Sequence, residues 1–353
     1  MSIVRLARPE IQTLQPYAAA AQVTDTIRLN ANEAPWTSSI DGFRRSLNRY
    51  PEIRPKKLRS ALAERYGCAT GQLLVTRGTS EAIDLLIRVF CRAGADSIMT
   101  TSPSFSMYGH YAQIQGARVI EVAALRDNDF AVSAAEMLAS CEDSTRLIFI
   151  CSPNNPTGTL FPRAELVELL DKRGDRSAII VDEAYIEFAD EPSAVELLDE
   201  YDNLIVLRTL SKALACAGAR CGSVLGPNAV IDMLDAVQAP YALATPVVEW
   251  VENALQQEAL EESESWVRQI VAERSLLVEG LSEFSFVRRI WPSAANFLLV
   301  EVDNAEVLLR RCQDDNVLIR YFGGSLAKCV RITVGSPAEN LQLLKSFVAM
   351  QSN

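Results

Sequence analysis

The strongest constraint on this chain is a hydrophobic pattern that keeps changing period between residues 70 and 235. LLVTR (73–77) has the texture of a short strand, and SEAIDLLIRVFCRAG (80–94) then spaces apolar residues three and four apart, as a half-buried helix does, with a Gly at its end. SIMTTSP, ARVIEVA, RLIFICSP, SAIIVDEAY and LIVLRTLS are further β-rich runs, each closed by a turn residue or a polar one. Helical segments such as RAELVELLDKRG (163–174) lie between most of them. This alternation predicts an α/β fold: a mainly parallel sheet covered by helices on both faces. Residues 247–281 predict one or two long amphipathic helices. Beyond them NFLLVEV, AEVLLRRCQ, VLIRYF and KCVRITVG, with a Gly-Gly turn between the last two, predict a smaller α+β unit ending in a helix. The expected organisation is a large domain over 30–240, with a smaller one built from 241–353 and the N-terminal arm 1–29.

Composition removes several classes of function. The chain has 353 residues, 49% hydrophobic and 22% charged, so a large globular core is expected rather than disorder. Its net charge of −11, with no Lys/Arg run interleaved with aromatics, argues against nucleic acid as a partner. The opening MSIVRLARPEIQ is broken by Arg5, Arg8, Pro9 and Glu10, and no apolar run approaches the roughly 18 residues of a membrane span, so a cytoplasmic protein is expected. Eight cysteines are scattered with no CxxC pair, which reads as reduced, buried and chemically idle thiols. The single histidine, His110, allows no His-containing triad around a nucleophile and no HxH or HExxH metal site, so no metal is expected.

In an open parallel sheet, ligands bind outside the carboxyl ends of the strands. Four such ends carry polar kits: RGTSEA (77–82), CSPNNPTG (151–158), VDEAY (181–185) and TLSK (209–212). Taken singly each has a bland reading, as an N-cap, a turn, a helix cap or a surface lysine. Together they supply a phosphate cradle at Gly78, Thr79 and Ser80, an amide at Asn155, a carboxylate at Asp182, a phenol at Tyr185, hydroxyls at Thr209 and Ser211, an amine at Lys212 and a guanidinium at Arg220. Pyridoxal 5'-phosphate needs such a set, because it carries a phosphate, an aldehyde that condenses with a lysine, a ring nitrogen and a ring oxygen. Asp182 would pair with the ring nitrogen, and Tyr185 and Asn155 would bond the ring oxygen. Ser211, Arg220 and the 78–80 turn would hold the phosphate. Phe105 of PSFSMY would stack on the ring.

RYPE (49–52), RGTSEAIDLLIRVF, PSFSMYG (103–109), CSPNNPTG, VDEAYIEF (181–188), RTLSKA (208–213), AGARCG (217–222), LIRYF and VRITVG together resemble the fold-type I aminotransferases, and among them the histidinol-phosphate aminotransferase family. The resemblance runs from about LQPY (14–17) to VRITVG (330–335), and LNANEAP, RYPE and DEAYIEF are its narrower signals. It implies a seven-stranded large domain and a homodimer whose active site lies at the subunit interface, with Tyr50 reaching the neighbour's cofactor phosphate. It implies Lys212 as covalent anchor and proton shuttle. Arg331, with Arg320 second, would receive the substrate anion, and Tyr17 and Asn32 would add polar contacts to the substrate. The implied reaction converts L-histidinol phosphate and 2-oxoglutarate to imidazole acetol phosphate and L-glutamate. Three departures bear on the amino donor: Phe105 where the family often has Tyr, Leu214 where a bulkier aromatic is usual, and a short stretch between Arg320 and Arg331. They leave open an aromatic amino acid, another phosphorylated amino compound or a phospho-amino-acid decarboxylation. A silent α/β binding protein is the reading from a different class.

Overall fold

Among the described residues, 2–17, 21–22 and 26–351, the computed structural model contains two β-sheets. Leu73–Thr76 (β1), Ser97–Ser102 (β2), Arg118–Ala123 (β3), Thr145–Cys151 (β4), Ala178–Asp182 (β5), Leu204–Thr209 (β6) and Gly222–Leu225 (β7) form the larger, in the order β1-β7-β6-β5-β4-β2-β3. β2 to β6 are parallel neighbours, and β7 runs antiparallel to both β6 and β1. Val287–Ile290 (β8), Phe297–Val302 (β9), Arg320–Gly323 (β10) and Leu326–Thr333 (β11) form an antiparallel sheet in the order β10-β11-β9-β8. The main helices are Pro9–Gln12 (α1), Lys56–Tyr66 (α2), Gly78–Phe90 (α3), Met107–Gln115 (α4), Ala134–Ser140 (α5), Arg163–Arg173 (α6), Asn228–Val237 (α7), Thr245–Ala254 (α8), Gln257–Ser282 (α9), Ala305–Asp314 (α10) and Pro337–Gln351 (α11). No helix among the described residues is long and apolar enough to cross a membrane.

Successive side chains of a strand point to opposite faces, and here both faces are covered. Leu147 and Phe149 of β4 pack with α3, α4 and α7, whereas Ile148 and Ile150 pack with α2 and α6. A strand buried twice must be apolar throughout, which explains the unbroken LIFI and AIIV runs. The predicted 80–94 helix starts earlier, at Gly78, and stops at Phe90; Gly94 lies in the turn beyond, with φ +70°. Residues 247–281 are divided between α8 and α9. The N-terminal segment packs on the large layer: Ile3 and Ala7 join the α3–α4–α7 cluster, and Arg8 N–H donates to the Val89 carbonyl at 2.9 Å. All eight cysteines are free, six of them buried and Cys68 and Cys141 half-buried.

The two layers meet along a short seam. Arg126 pairs with Glu301 and Arg289 with Asp129, and both guanidiniums lie over the buried Trp291 ring, at 5.6 and 5.1 Å from its centre. Gly158 touches the 293–294 segment there, its carbonyl accepting from Ala294 N–H at 2.9 Å. With φ +80° and Ser293 Cα 2.8 Å from where a Cβ would stand, position 158 admits only glycine without movement. Gly158→Ala is expected to destabilise the protein by about 2–3 kcal/mol, read as a lower midpoint of urea unfolding. An unchanged midpoint would mean that the seam yields freely.

Candidate active site

A cleft of about 870 Å³ opens at the carboxyl ends of β2, β4, β5 and β6, and the β10–β11 hairpin forms its opposite wall. Most of the residues expected from the sequence converge on it. Thr79 and Ser80 begin α3, Phe105 precedes α4, and Asn155 follows β4. Asp182 and Tyr185 stand at the end of β5, and Thr209, Ser211 and Lys212 at the end of β6. Arg220 lies before β7, and Arg320 and Arg331 face in from the hairpin. Gly78 stands behind Arg220: its φ is +72°, and a Cβ there would come within 2.8 Å of an Arg220 nitrogen. Tyr17, Asn32 and Tyr50 are outside the wall of the cleft. Tyr17 and Tyr50 are 63% and 51% exposed, and Tyr50 stacks on Tyr241 at 4.6 Å. Asn32 occupies the left-handed region, with φ +54°.

The floor is built around Asp182. Its carboxyl is buried, and Tyr108 Oη donates to Oδ2 at 2.8 Å. Oδ1 is buried with no hydrogen-bond partner, an arrangement that is unfavourable unless a donor arrives. Burial pushes this carboxyl up to about 6, against the pull of the Tyr108 hydrogen bond and the Lys212 charge. Tyr108 is fully buried, stacked on Phe149 at 4.8 Å and edge-on to Phe105 at 5.6 Å. Sequence reasoning missed it. Its only signal is a Tyr on the apolar face of α4, which reads as core.

Lys212 follows β6 and opens into the cleft, its Nζ 5.7 Å from the centre of the buried Tyr185 ring. Partial burial, then the charges of Arg331 and Arg220, lower its amine from the ordinary lysine value, with Asp182 opposing them. The shift is in the direction that a nucleophile or general base requires. Burial raises the Tyr185 phenol. Asn155 Oδ1 accepts a short hydrogen bond from Arg331 Nη1, which ties the NNPTG loop to the small sheet. The other Asn of that loop, Asn154, turns away to bond the Pro103 carbonyl, Ser104 and Thr157. Behind β5 and β6, Arg208 reaches Glu187 at 2.7 Å and Glu183 at 3.4 Å and lies 4.7 Å from the Tyr66 ring centre. This buried cluster fixes the ends of the two strands that carry Asp182 and Lys212.

These groups fit pyridoxal phosphate. The free Asp182 oxygen suits a protonated ring nitrogen. The phosphate end has open donors: no side chain caps α3, Ser211 Oγ accepts from Thr209 Oγ1 at 3.0 Å and keeps its own proton to donate, and Arg220 has no carboxylate partner among the described residues. No cluster of three or more His, Cys, Asp or Glu among the described residues could hold a metal.

The class I and II aminotransferase profile matches residues 18–347. A histidinol-phosphate aminotransferase of Xylella fastidiosa is 40% identical over 97% of this chain and 95% of its own, and one from Xanthomonas campestris pv. campestris is 41% identical over 99% and 98%. The crystal structure of the histidinol-phosphate aminotransferase from Clostridium acetobutylicum superimposes with a TM-score of 0.78 at 25% identity, covering 87% of this chain and 92% of that one.

The dry floor has a consequence for stability in the cofactor-free protein. Asp182 holds its proton to about pH 6 in the folded state but releases it near 3.8 when unfolded. Stability attributable to this group therefore falls as pH rises from about 4 to about 6 and stays low above that. Cofactor-free Asp182→Asn should be more stable than wild type at pH 7.5, on the order of 2–3 kcal/mol, with the difference vanishing at pH 4. Urea midpoints at the two pH values check this, and equal midpoints at pH 7.5 would contradict it.

Proposed function

The chain belongs to the class I and II aminotransferases and groups with the histidinol-phosphate aminotransferases, and from that premise we propose that it moves the amino group of L-histidinol phosphate to 2-oxoglutarate, giving imidazole acetol phosphate and L-glutamate in histidine biosynthesis. Bound pyridoxal phosphate supplies an aldehyde that takes the amino group and a ring that withdraws electrons from the reacting carbon. This chain's residues do the rest. Asp182 would keep the ring nitrogen protonated, Tyr185 and Asn155 would bond the ring oxygen, and Phe105 would lie against the ring. Thr79, Ser80, Thr209, Ser211 and Arg220 hold the phosphate. Lys212 carries the proton to and from the substrate's α-carbon, for which its lowered affinity for protons suits it.

The observation that carries the substrate reading is the pair Arg320 and Arg331. They stand directly opposite each other on β10 and β11 and line the cleft, and neither has a carboxylate partner among the described residues. A guanidinium forks onto carboxylate and phosphate alike, so the pair suits both the glutamate carboxylate and the phosphate of histidinol phosphate. A second copy of the chain completes the site by bringing in Tyr50. The segment that carries it exposes Ile27, Leu29, Trp36 and Ile40 by 80% or more, which is the kind of surface a partner covers. Tyr17 and Asn32, near the same segment, add polar contacts to the substrate. The enzyme works in the cytoplasm.

Purified protein should be yellow from the lysine-bound cofactor, and Lys212→Ala should lose both that absorption band and turnover. A colourless wild type that takes up no pyridoxal phosphate would sink the reading. Separate half-reactions with histidinol phosphate, glutamate, phenylalanine and phosphothreonine should convert the cofactor with the first two, and a much faster phenylalanine reaction would reassign the substrate. Arg331→Ala should lower kcat/KM for glutamate and histidinol phosphate by about 2 kcal/mol or more. The shared site has its own test. Tyr50→Ala and Lys212→Ala, each nearly inactive alone, should regain up to about a quarter of wild-type activity when refolded together, because one site of each hybrid dimer is intact. Activity no higher than the sum of the parents would mean that Tyr50 does not act across an interface.

A further inference from the structure

The anion site has a mechanical problem. Arg320 and Arg331 are cross-strand neighbours with like charges, which repel, and nothing acidic among the described residues draws them together. Two long side chains aimed at one point also lose considerable rotamer freedom. Phe322 addresses both difficulties. It stands two residues beyond Arg320, at the irregularity in β10, and lines the cleft with it. Its ring centre lies 5.6 Å from the Arg320 Cζ and 5.7 Å from the Arg331 Cζ, and the Phe297 ring centre lies 5.2 Å from the Arg331 Cζ. The negative face of an aromatic ring attracts a guanidinium. The short hairpin makes this reach possible: pairing shifts between Tyr321 and Gly323, so that Gly323 stands opposite Leu326, and Gly323 and Gly324 take positive φ. Phe322 and the turn after it thereby become part of the cleft wall.

We infer that Phe322 is a positioning residue that holds the Arg320 and Arg331 guanidiniums as a two-armed fork for the substrate's anionic group. The inference rests on the reading that these arginines receive that group. A phosphate dianion engages both arms, and a carboxylate can be held by one, so Phe322 also sets the preference between the two partners the enzyme must accept in turn. The ring is 37% exposed, so replacing it leaves the core of the small sheet filled.

The test uses cofactor-loaded Phe322→Leu and Phe322→Tyr with three probes: histidinol phosphate, glutamate and inorganic phosphate. Phe322→Leu should raise KM for histidinol phosphate and the Kd of inorganic phosphate about tenfold, the size expected of two such contacts, and KM for glutamate about threefold. Its kcat should stay within about twofold of wild type. Phe322→Tyr, which keeps the ring, should restore all three values. Unchanged KM and phosphate affinity in Phe322→Leu, a loss confined to kcat, or no rescue by Tyr would overturn the inference. Glutamate and inorganic phosphate report on the fork whatever the amino donor is. A wild type inert toward histidinol phosphate would instead overturn the substrate reading.

Discussion

Burying both faces of the seven-stranded sheet is the constraint on which the rest of the molecule depends. With helices on either side, the apolar side chains of β4, β5 and β6 are buried on both faces, and most polar groups lie at or near the strand ends. Because these strands are parallel, their carboxyl ends share one edge. Asp182 and Thr209 are the last residues of β5 and β6, and Asn155 and Lys212 follow β4 and β6 within a few residues. The Asp182 carboxyl is the limiting case, a buried acid at the very end of its strand. Tyr108 satisfies one oxygen from within the core, and the other remains for a ligand. The same burial that makes the fold stable makes this group demand a cationic donor.

Electrostatics in the cleft run against the charge of the whole chain. The net charge is −11, yet Arg220, Arg320, Arg331 and Lys212 line one cavity with Asp182 at its floor. A local positive field with low-dielectric walls gathers anions even on an acidic protein. The arginines have a second effect, because the Arg331 and Arg220 charges help to lower the lysine's affinity for its proton. An anion bound to either arginine offsets that charge and raises the proton affinity of Lys212. Anion occupancy of the arginines and the protonation of Lys212 are therefore linked through charge.

Much of the site was legible because strand ends are legible. A run such as AIIVDEAY shows where burial stops, and the residue types there are few enough for their conjunction to specify a chemistry. Tyr50, Tyr17 and Asn32 came only from resemblance, since a single sequence says nothing about which exposed residue meets a second chain. Tyr108 and Phe322 were invisible for opposite reasons. Tyr108 is indistinguishable from core on its helix, and the role of Phe322 follows from a register shift that no propensity encodes. The end of α3 falls four residues before the glycine that suggests its cap, because the backbone turns extended at Cys91. The N-terminal arm, expected with the small domain, instead packs Ile3 and Ala7 into the apolar cluster of α3 and α7, a placement that no local pattern in residues 1–29 specifies.

The NNPTG loop joins these themes. In four residues it carries Asn155, which accepts from Arg331, and Gly158, whose missing side chain lets Ser293 approach. The first contact ties Arg331 to the strand-end side of the cleft, and the second holds the small sheet close to the layer bearing Lys212. The salt bridges on either side of Trp291 reinforce the seam but are partly exposed, and such pairs contribute little each. The close Gly158–Ser293 approach and the Asn155–Arg331 hydrogen bond thus set the spacing between the strand-end side of the cleft and its hairpin wall. A motif read in the sequence as a turn beside a cofactor serves in the structure as the ruler between the two halves of the site.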